Sequence, residues 1–531
     1  AITTSMTTAS SAIWHFVHSG SLLVSAGQTM TLGSVPTMDG PPRQIFYGSG
    51  VVRVGNQQPS SPHWWGAQGD GATDDTAAFN AATQSTVSWV AGLKRAIVCE
   101  SGLDYFLAGT VYVRAGQVLT SAGTGPCTIK GDLASPTVNV LAGAGFIGGS
   151  VVSDAGSTGT PVTVKNLFFS QGSVSAGCLK AQFVGFIFSD LFLSNCGTGM
   201  EIEAGDGVIS NIVFDLGLTH LYIHDSQNVV FNNIISYNPN YAIIIGSNVY
   251  DIQFNNTHLE YFEYAGVYFN DSSVSIRNVR FDGFQAITNI QYATILAQVY
   301  MRTGDFEAVF TNCAFRNMFN YAVVSALGTG GRLAFRNCHF DGLKTNPAYN
   351  QSATAGGIYA DGLVLDLTDV DFRNMAVNSI LLEGSRVSSL RWTGGKIEAS
   401  TPTIPVSLTN TNPNTIVHLA SLDGGGYTLY TPQATIPVKH VAPLTNWFAA
   451  VIDSGTRFYW RLPYKIATVY ELTVIANPLP AGGGYTTSST YQVRKSNSDS
   501  TVSGTPTSWI TFTLVSRDPA VGAVPVLDVQ A

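Results

Sequence analysis

The sequence predicts an all-β protein, a parallel β-helix with three strands per coil, and three observations lead to this prediction. Only 11% of the 531 residues are charged, against about 25% in an ordinary soluble protein, while 45% are hydrophobic. The apolar runs are short, rich in β-branched and aromatic residues, and interrupted by Gly, Asn, Ser and Thr, as expected of many short strands. One sequence pattern recurs about every 22 residues, which is typical of one coil of a solenoid.

Composition and charge exclude several other classes of protein. The apolar and aromatic content is too high for a disordered chain. No run approaches the ~18 consecutive apolar residues of a membrane-spanning helix, so no membrane insertion is expected. The net charge of −8, without any cluster of Lys or Arg, argues against a nucleic-acid partner and is compatible with neutral or weakly charged partners.

The six cysteines do not have the density of a disulfide framework. None lies in a CxxC pair or near a His at metal-binding spacing, so the sequence predicts neither a metal nor another cofactor. We therefore expect the cysteines to be small buried apolar residues. No signal peptide is visible, and the chain starts at Ala1 without an initiator Met, which indicates a fragment or a processed form.

The recurring pattern is apolar–x–Asn/Asp–apolar–x–apolar, as around Asn166 and Asp190. The residues expected to point inward lie two positions before, one after and three after the polar residue. A single strand would keep strict alternation, so the alternation shifts at the polar residue and the chain must bend sharply there. Asn and Asp tolerate the left-handed conformation that such a bend needs. Stacked coils should therefore form a structural Asn/Asp ladder, with Cys313 and Cys338 inside neighbouring coils. The ladder positions are Asn166, Asp190, Asn211, Asn233, Asn256, Asn278, Asn312, Asn337 and Asp369.

The limits of the repeat divide the chain into four segments. Residues 1–62 are rich in Ser, Thr, Gly and Pro and predict short strands and a linker. Residues 63–95 hold an N-terminal motif and a capping helix, which covers the open end of the solenoid. Residues 96–424 are predicted to form the β-helix. Residues 425–531 lose the repeat and predict a small C-terminal all-β domain.

The capping helix is predicted from its N-terminal signals. Asp74, Asp75 or Thr76 can cap a helix that runs to about Trp89. The acidic residues at this point, Asp70 included, are therefore interpreted as structural rather than catalytic.

The segment Trp64-Trp-Gly-Ala-Gln-Gly-Asp-Gly-Ala-Thr-Asp-Asp-Thr-Ala-Ala-Phe79 resembles the N-terminal motif of pectate-lyase-3-like β-helix proteins. These include many bacteriophage tailspike and tail-fibre polysaccharide depolymerases. The segment Phe46-Tyr-Gly-Ser-Gly50 resembles the connecting segment of such proteins. The resemblance implies a right-handed parallel β-helix, a homotrimer, and a glycan substrate cleaved in a surface groove. It does not fix the reaction, because hydrolases and lyases both occur in the group and catalytic positions differ between members.

Charged residues concentrate on the outward columns of the strand that follows the ladder, from His258 onward. If successive ladder residues stack, Glu260 and Asp282 lie in one column on adjacent coils, about 5 Å apart, the spacing of a retaining glycosidase pair. Asp215 lies two coils from Glu260, at about 9–10 Å, the upper edge of the inverting range. Neighbouring carboxylates raise the pKa of one of them, as a general acid requires. These three are the predicted catalytic residues; a solvated ion-pair ladder is the alternative.

Substrate binding is predicted for residues around that pair and on a second face. Around the pair, aromatic faces could stack on sugar rings and charged groups could orient the acid: His258, Arg280, Tyr237, Glu263 and Tyr264. The second face is the remaining strand of each coil, where Glu203 and His224 are near neighbours. The other residues expected to point outward on that strand include Glu201, Tyr222, Tyr268, Tyr359, Asp361 and Glu383.

The favoured function is a phage tailspike that cleaves bacterial capsule, O-antigen or exopolysaccharide, by endo-glycosidic hydrolysis. One alternative is a lyase acting by β-elimination, in which His258, Tyr237 and Arg280 would supply the base and stabilise the enolate. Another is a receptor-binding spike of the same fold without catalysis. In each case the protein would belong to the tail of the virion and act outside the cell. Its N-terminal side would attach to the tail through residues that precede this sequence.

Overall fold

The computed structural model describes most of the chain up to residue 422 and only separate strands after it. The undescribed residues before that point are 10, 55–58, 86–94, 115, 132–137, 143, 148–149, 154–160, 172–176, 271–275, 288–296, 303, 319, 326–328, 343–354, 399–404 and 413. Two compact units are present: residues 1–270 with 276–282, and residues 271–275 with 283–531. Both are built from parallel strands, and the fold is the predicted right-handed parallel β-helix. No helix among the described residues is long and apolar enough to cross a membrane.

The first unit begins with a short parallel solenoid of its own. Its strands are Met6–Thr7, His15–Phe16, Leu22–Leu23, Thr29–Leu32, Thr37–Met38, Phe46–Tyr47 and Val51–Val54. They pair in parallel on three faces, for example Met6 with Met30, which in turn pairs with Val52. Phe16, Met30 and Trp64 contribute to a common core. The segment predicted as short strands and a linker is thus coiled, and it lacks the Asn marker that identifies the later coils.

The predicted N-terminal motif forms a 3-10 helix over Pro62–Trp65, a strand over Asp70–Asp74 and an α-helix over Thr76–Ser85. The nearly buried carboxylate of Asp75 accepts the backbone N–H groups of Gln68 and Gly69, at 2.7 and 3.2 Å. Asp74 and Asp70 likewise accept backbone N–H groups of residues just after them. These bonds support the structural interpretation of the three acids. The helix end predicted near Trp89 lies outside the described residues.

The long solenoid of the first unit follows, with parallel pairing from coil to coil except for one antiparallel hairpin, Ala144–Ile147 with Ser150–Ser153. Several strands run through the bends without interruption. The other strands are Arg95–Cys99, Asp104–Phe106, Val111–Arg114, Gln117–Ser121, Cys127–Gly131, Val138–Ala142, Val162–Gln171, Gly177–Ile223, Ser226–Ile245, Val249–Glu260, Ala265–Phe269 and Ile276–Asp282.

The second unit continues the same construction up to a strand at Val438–Val441, which pairs in parallel with Ile416–Ala420. The solenoid therefore includes a strand beyond the predicted boundary at residue 424. Later described strands pair antiparallel: Arg457–Arg461 with Val526–Gln530, Val469–Val474 with Ile510–Val515, and Arg494–Lys495 with Ser500–Thr501. The remaining strands are Gln285–Ile287, Ala297–Met301, Gly304–Thr311, Ala314–Met318, Tyr321–Ser325, Thr329–Arg336, His339–Gly342, Gly356–Ala360, Leu363–Thr368, Asp371–Arg373, Ile380–Leu382, Ser389–Thr393, Ile397–Glu398 and Val406–Leu408.

The Asn/Asp ladder is present. All nine predicted positions have a positive φ, between 51° and 57°. Asn211 donates to Asp190 at 2.9 Å, Asn233 to Asn211 at 3.0 Å and Asn256 to Asn233 at 3.3 Å. Left-handed backbone at each bend thus sets the shape of the coil, and the stacked amides satisfy one another along the axis.

One ladder position was assigned to the wrong stack. Asn278 donates to Asp251 rather than to Asn256. Asp251 belongs to a second ladder, because its strand register places it beside Asn228, which in turn donates to Asp206 at 3.0 Å. The sequence pattern identifies a left-handed bend, but it does not distinguish two bends of the same coil.

The interior of each unit contains stacked aromatic rings. Phe254 lies between Phe231 and Phe281 in the first unit, with ring centroids 4.5 and 4.7 Å apart. Phe340 lies between Phe315 and Phe372 in the second, at 4.5 and 4.8 Å. Equivalent positions of successive coils therefore build a continuous core, as the low charge of the sequence predicts.

The expectation that all six cysteines are free thiols was wrong for four of them. Disulfides join Cys99 to Cys127 and Cys178 to Cys196. Separations of 28 and 18 residues gave no sign of pairing in the sequence, because partners are brought together only by the stacking of coils. Cys313 and Cys338 are buried thiols, as predicted.

We expect each disulfide to stabilise the first unit measurably. Replacing Cys178 and Cys196 together by Ser should lower the free energy of unfolding by about 2–4 kcal/mol, since the cross-link restricts the unfolded chain. Urea denaturation of the double variant, with and without a reducing agent, measures this. The reducing agent should lower the stability of the wild type but have a smaller effect on the double variant, and an equal effect on both would contradict the expectation.

Candidate functional site

The predicted catalytic column is altered by the misassigned ladder position. Within the first unit, Asp282 pairs with Asn255, and Arg280 pairs with Gln253. The prediction that Asp282 and Arg280 lie in one column with Glu260 and His258 was therefore wrong, because Asn278 stacks on Asp251, five residues before Asn256. Both side chains are exposed. The structure does not bring the proposed Glu260–Asp282 pair together in the way the sequence suggested.

The other part of that column has the predicted register. Asp215 pairs with Tyr237, which pairs with Glu260. Glu260 contacts Nε2 of His258 through its Oε1, and the two side chains are only 19% and 29% exposed. Asp215 and Glu260 are thus two strands apart, with Tyr237 between them, as expected.

Glu263 and Tyr264 lie in the turn that follows Glu260. Their backbone N–H groups donate to the carbonyls of Pro239 and Asn240, at 2.8 and 2.9 Å. These bonds fix the turn against the preceding coil. Tyr264 extends from it toward Tyr241, with ring centroids 5.3 Å apart.

The second predicted face carries the densest polar cluster among the described residues, which we call the Lys180 cluster: Lys180, Gln182, Glu201, Glu203 and His224. Lys180 Nζ donates to Glu201 Oε1 at 2.8 Å and lies 2.9 Å from Glu203 Oε2. Gln182 Nε2 donates to the same Glu203 oxygen at 3.0 Å. His224 Nε2 lies 3.1 Å from Glu201 Oε1. The five side chains come from three successive coils of the strand Gly177–Ile223 and the residue after it.

Ligand atoms of Glu201, Glu203 and His224 all lie within 4.8 Å of one another. A metal ion could be held by such a set, but Lys180 already places a cation against both carboxylates. The side chains are half-buried, with exposures of 17% for Lys180, 22% for Glu201, 37% for Glu203 and 16% for His224. Glu203 is therefore the carboxylate most accessible to a ligand.

The contacts within the Lys180 cluster set its protonation. The hydrogen bond from His224 and then the one from Lys180 lower the pKa of Glu201, against partial burial. Partial burial opposes ionisation of Glu203, but the bonds from Gln182 and Lys180 outweigh it, so the pKa of Glu203 is also lowered. Both glutamates are therefore carboxylates near neutral pH.

The contacts of His224 favour its protonated form. The bond to Glu201 raises the pKa of His224 despite its burial, and a second carboxylate, Asp225, accepts from Nδ1 at 3.1 Å. An acceptor at each ring nitrogen favours the doubly protonated imidazolium. The ring also packs on Tyr222, with centroids 4.6 Å apart.

The raised pKa of His224 predicts a pH dependence of stability. Because the folded-state pKa lies above the ordinary value of 6.5, the stabilisation is complete below pH 6.5 and is lost as pH rises through the folded-state pKa. Urea denaturation of the wild type and of His224→Gln across this range should converge as pH rises. A constant difference between them, or an NMR titration of His224 below its ordinary range, would refute the assignment.

A group of tyrosines extends from the Lys180 cluster along the same face. Tyr222 and Tyr268 both pair with Ile244, so they lie in one column two strands apart. Tyr241 stacks on Tyr268, with centroids 5.3 Å apart and rings inclined by 20°. Gly246 leaves space beside His224, since a Cβ there would lie 3.2 Å from the Cβ of His224. Aromatic faces and polar groups are thus adjacent on one surface.

Sequence reasoning found Glu203 and His224 as neighbours but missed Lys180 and Gln182. These two residues precede Glu201 and Glu203 by 21 positions each, close to one coil. Because the chain has only 26 Lys and Arg residues, a Lys that precedes a Glu by one repeat was the signal that could have identified Lys180. It could be read only with the register of this strand known, which the ladder pattern does not fix.

No protein-family model and no curated protein sequence matches the chain. Solved structures similar to it include the A-module of mannuronan C-5 epimerase AlgE4 from Azotobacter vinelandii, with 13% identity, a TM-score of 0.42, and coverage of 73% of this chain and 99% of that one. The tailspike of Acinetobacter phage vB_ApiP_P1 is similar at 14% identity and a TM-score of 0.41, over 58% of each chain. Tailspike gp49 of Pseudomonas phage LKA1 is similar at 12% identity and a TM-score of 0.40, over 78% of this chain and 86% of that one. At such low sequence identities and TM-scores, the roles of individual residues can be argued only from the geometry of this chain.

Proposed function

We propose that the protein is a tailspike-type depolymerase that binds bacterial surface polysaccharide and hydrolyses its glycosidic bonds. The observation that carries the proposal is the Lys180 cluster, in which two carboxylates and an imidazole lie within 4.8 Å of one another beside a tyrosine-rich surface. Carboxylates in a half-buried site are the groups that glycoside hydrolysis uses. Phage tailspikes among the similar structures are in keeping with this function.

The tyrosines would provide the binding surface. Sugar rings present apolar C–H faces that pack on aromatic rings, while phenol hydroxyls and amides can bond the sugar hydroxyls. Tyr222, Tyr241, Tyr264 and Tyr268 supply those rings on one side of the first unit. A polysaccharide chain lying on them would pass directly over His224 and Glu203.

The cluster also suggests how a bond could be cleaved. Glu203, ionised and the more exposed carboxylate, would attack the anomeric carbon and form a glycosyl ester, while the bond to the leaving oxygen breaks. His224 would donate its Nε2 proton to that oxygen. Neutral His224 would then take a proton from the water that hydrolyses the ester, which restores the starting state. Glu201 and Lys180 would hold the two groups in place. Ligand atoms of Glu203 and His224 lie within 4.8 Å of each other, so both groups can reach one glycosidic bond.

Charge favours hydrolysis over β-elimination at this site. A lyase must bind and neutralise the carboxylate of a uronic acid. Lys180 and His224 are already paired with Glu201, Glu203 and Asp225, so a uronate would compete with three carboxylates for two cations. We therefore expect a substrate whose repeating unit is uncharged where it meets the cluster.

A second candidate site for the same reaction is the column of Asp215, Tyr237 and Glu260. Strands two apart are separated by about 9–10 Å, near the about 6.5–9.5 Å of inverting enzymes. His258 would then orient the acid Glu260, which it contacts. The configuration of the first product, followed by NMR, separates the two candidates: retention supports the Lys180 cluster, and inversion supports this column.

Assembly and location follow from the same proposal. The protein would act as a homotrimer on the virion tail, outside the cell, and attach to the tail through its N-terminal side. The first unit exposes large apolar side chains suited to a subunit interface, including Phe192, Leu216 and Leu218 at 38%, 50% and 42% exposure. Sedimentation equilibrium of the full chain should therefore give three times the 56.4 kDa mass of one chain.

The experiment that tests the function is incubation of the protein with purified capsule, O-antigen and exopolysaccharide from candidate hosts. Release of reducing ends without an unsaturated uronate supports hydrolysis. Ultraviolet absorption of an unsaturated uronate would show elimination instead. Binding to cells without any release of fragments would leave a receptor-binding spike as the function.

A further inference from the structure

The second unit contains a pair of carboxylates on adjacent strands that the proposed function does not use. Ala360 pairs with Leu382, and the N–H of Glu383 donates to the carbonyl of Ala360 at 3.1 Å. The next residues along the two strands, Asp361 and Glu383, are therefore neighbours, on strands about 4.8 Å apart. Asp361 follows directly after the strand Gly356–Ala360, and its own carbonyl accepts from Ser325 at 3.1 Å.

Asp361 is buried, so the prediction that it points outward was wrong, and one of its carboxylate oxygens lacks a partner. It is 2% exposed, and its Oδ1 has no hydrogen-bond partner. The ion pairs between described residues include neither Asp361 nor Glu383. A buried charge is ordinarily paired or bound to a metal, because desolvation of an isolated carboxylate is very costly. Two neighbouring carboxylates also repel each other, which makes the need for a cation greater.

The backbone beside this pair is shaped to admit the buried carboxylate. Gly384 has a φ of +93°, and a Cβ on it would lie 2.3 Å from Asp361 Oδ1. Any other residue would displace the carboxylate of Asp361 from the space over the adjacent strand. The absence of a side chain at position 384 thus directs Asp361 toward the strand that carries Glu383.

Two tyrosines complete the surroundings. Tyr359 lies two residues before Asp361 on the same strand, and its ring centroid is 5.8 Å from that of Tyr321. Burial, followed by the negative charge of Glu383, raises the pKa of Tyr321 to about 12. Burial, then the charges of Glu383 and Asp361, and a hydrogen bond with the carboxylate of Glu383 also raise the pKa of Tyr359. Both phenols therefore remain neutral in a region of negative potential.

We propose that Asp361 and Glu383 bind a hard divalent cation of the calcium class at this corner of the second unit. Calcium accepts six to eight oxygen ligands from carboxylates, carbonyls and water in flexible geometry. A site with two carboxylates, of which only Asp361 is buried, should have moderate affinity. It should be half-saturated at about 10⁻⁴–10⁻³ M calcium, as in extracellular modules. The cation would neutralise the buried charge and tie two successive coils together.

Terbium, a luminescent analogue of calcium, tests the proposal on the full chain. Excitation of tyrosine should sensitise bound terbium through Tyr321 and Tyr359, and calcium should displace it. Glu383→Gln, at an exposed position that should not affect folding, and Asp361→Asn should each weaken binding by about tenfold or more. Glu398→Gln is the matched control, because it removes a glutamate of the same unit that is paired with Arg373 and Lys396, and it should leave this signal unchanged.

Thermal unfolding gives an independent measurement. Calcium should raise the Tm of the wild type and of Glu398→Gln, but not that of Glu383→Gln, since a ligand bound to the folded state stabilises it. Terbium binding of wild-type strength in Glu383→Gln would overturn the proposal. So would a Tm of the wild type that calcium does not change.

Discussion

Replacing Glu203 by Gln should lower kcat for polysaccharide cleavage by about two to four orders of magnitude, the usual contribution of one positioned catalytic group. Gln keeps the shape of the side chain, and its amide oxygen can still accept a hydrogen bond from Lys180. The ionised nucleophile is lost, while the fold is retained. The measurement is the rate of reducing-end release, with a circular dichroism melt to confirm folding. Binding of the polysaccharide should change little, because the tyrosines are untouched.

A matched control for Glu203→Gln is Glu398→Gln in the second unit. Glu398 is also an ion-paired glutamate, with Arg373 at 3.2 Å and with Lys396, but it lies outside the Lys180 cluster. Its variant should cleave at the wild-type rate. Wild-type activity in Glu203→Gln would remove the Lys180 cluster from consideration and leave Asp215 and Glu260 as the candidates to be tested by the same substitutions.

The largest loss of stability should follow from Phe254→Ala. Phe254 is completely buried between Phe231 and Phe281, so its removal leaves a cavity between two coils and should cost about 3–5 kcal/mol. Urea denaturation followed by circular dichroism measures the change. A solenoid need not unfold in one step, so midpoints of the transition should be compared as well as fitted free energies.

Phe192→Ala is the comparison for that experiment, because Phe192 is 38% exposed and meets the ring of Phe168 edge-on, with centroids 5.0 Å apart. It should cost much less than Phe254→Ala in the isolated chain. An equal loss in both variants would mean that coil-to-coil stacking of buried rings is not the main source of stability.

The coil could be predicted from sequence because its bend has a local chemical cause. Asn166, Asn211 and Asn233 each mark a left-handed residue, and every predicted ladder position has that conformation. The register between coils could not be predicted with the same accuracy, because it depends on coil length. The assignment of Asn278 to the wrong ladder moved Arg280 and Asp282 into a column that they do not occupy.

The disulfides and the Lys180 cluster illustrate the same limit. Cys178 and Cys196 become neighbours only after the coils stack, and nothing near either residue in sequence indicates its partner. Lys180 and Gln182 gain their roles from glutamates one coil later. Side-chain contacts along the axis of a solenoid cannot be predicted until the register is known. Contacts within one coil can be predicted directly, such as the backbone N–H groups that Asp70 and Asp74 accept from residues just after them.

The Lys180 cluster draws its side chains from three consecutive coils, each of which contributes one or two residues through a single strand. In such a surface, each coil contributes its own part of the binding specificity. A recombination event that exchanged one coil for another of equal length would replace part of the site and preserve both neighbours, together with the hydrogen bonds that hold the stack. Under the proposed function, the glycan that the surface recognises could therefore change one coil at a time, while each intermediate sequence still folds.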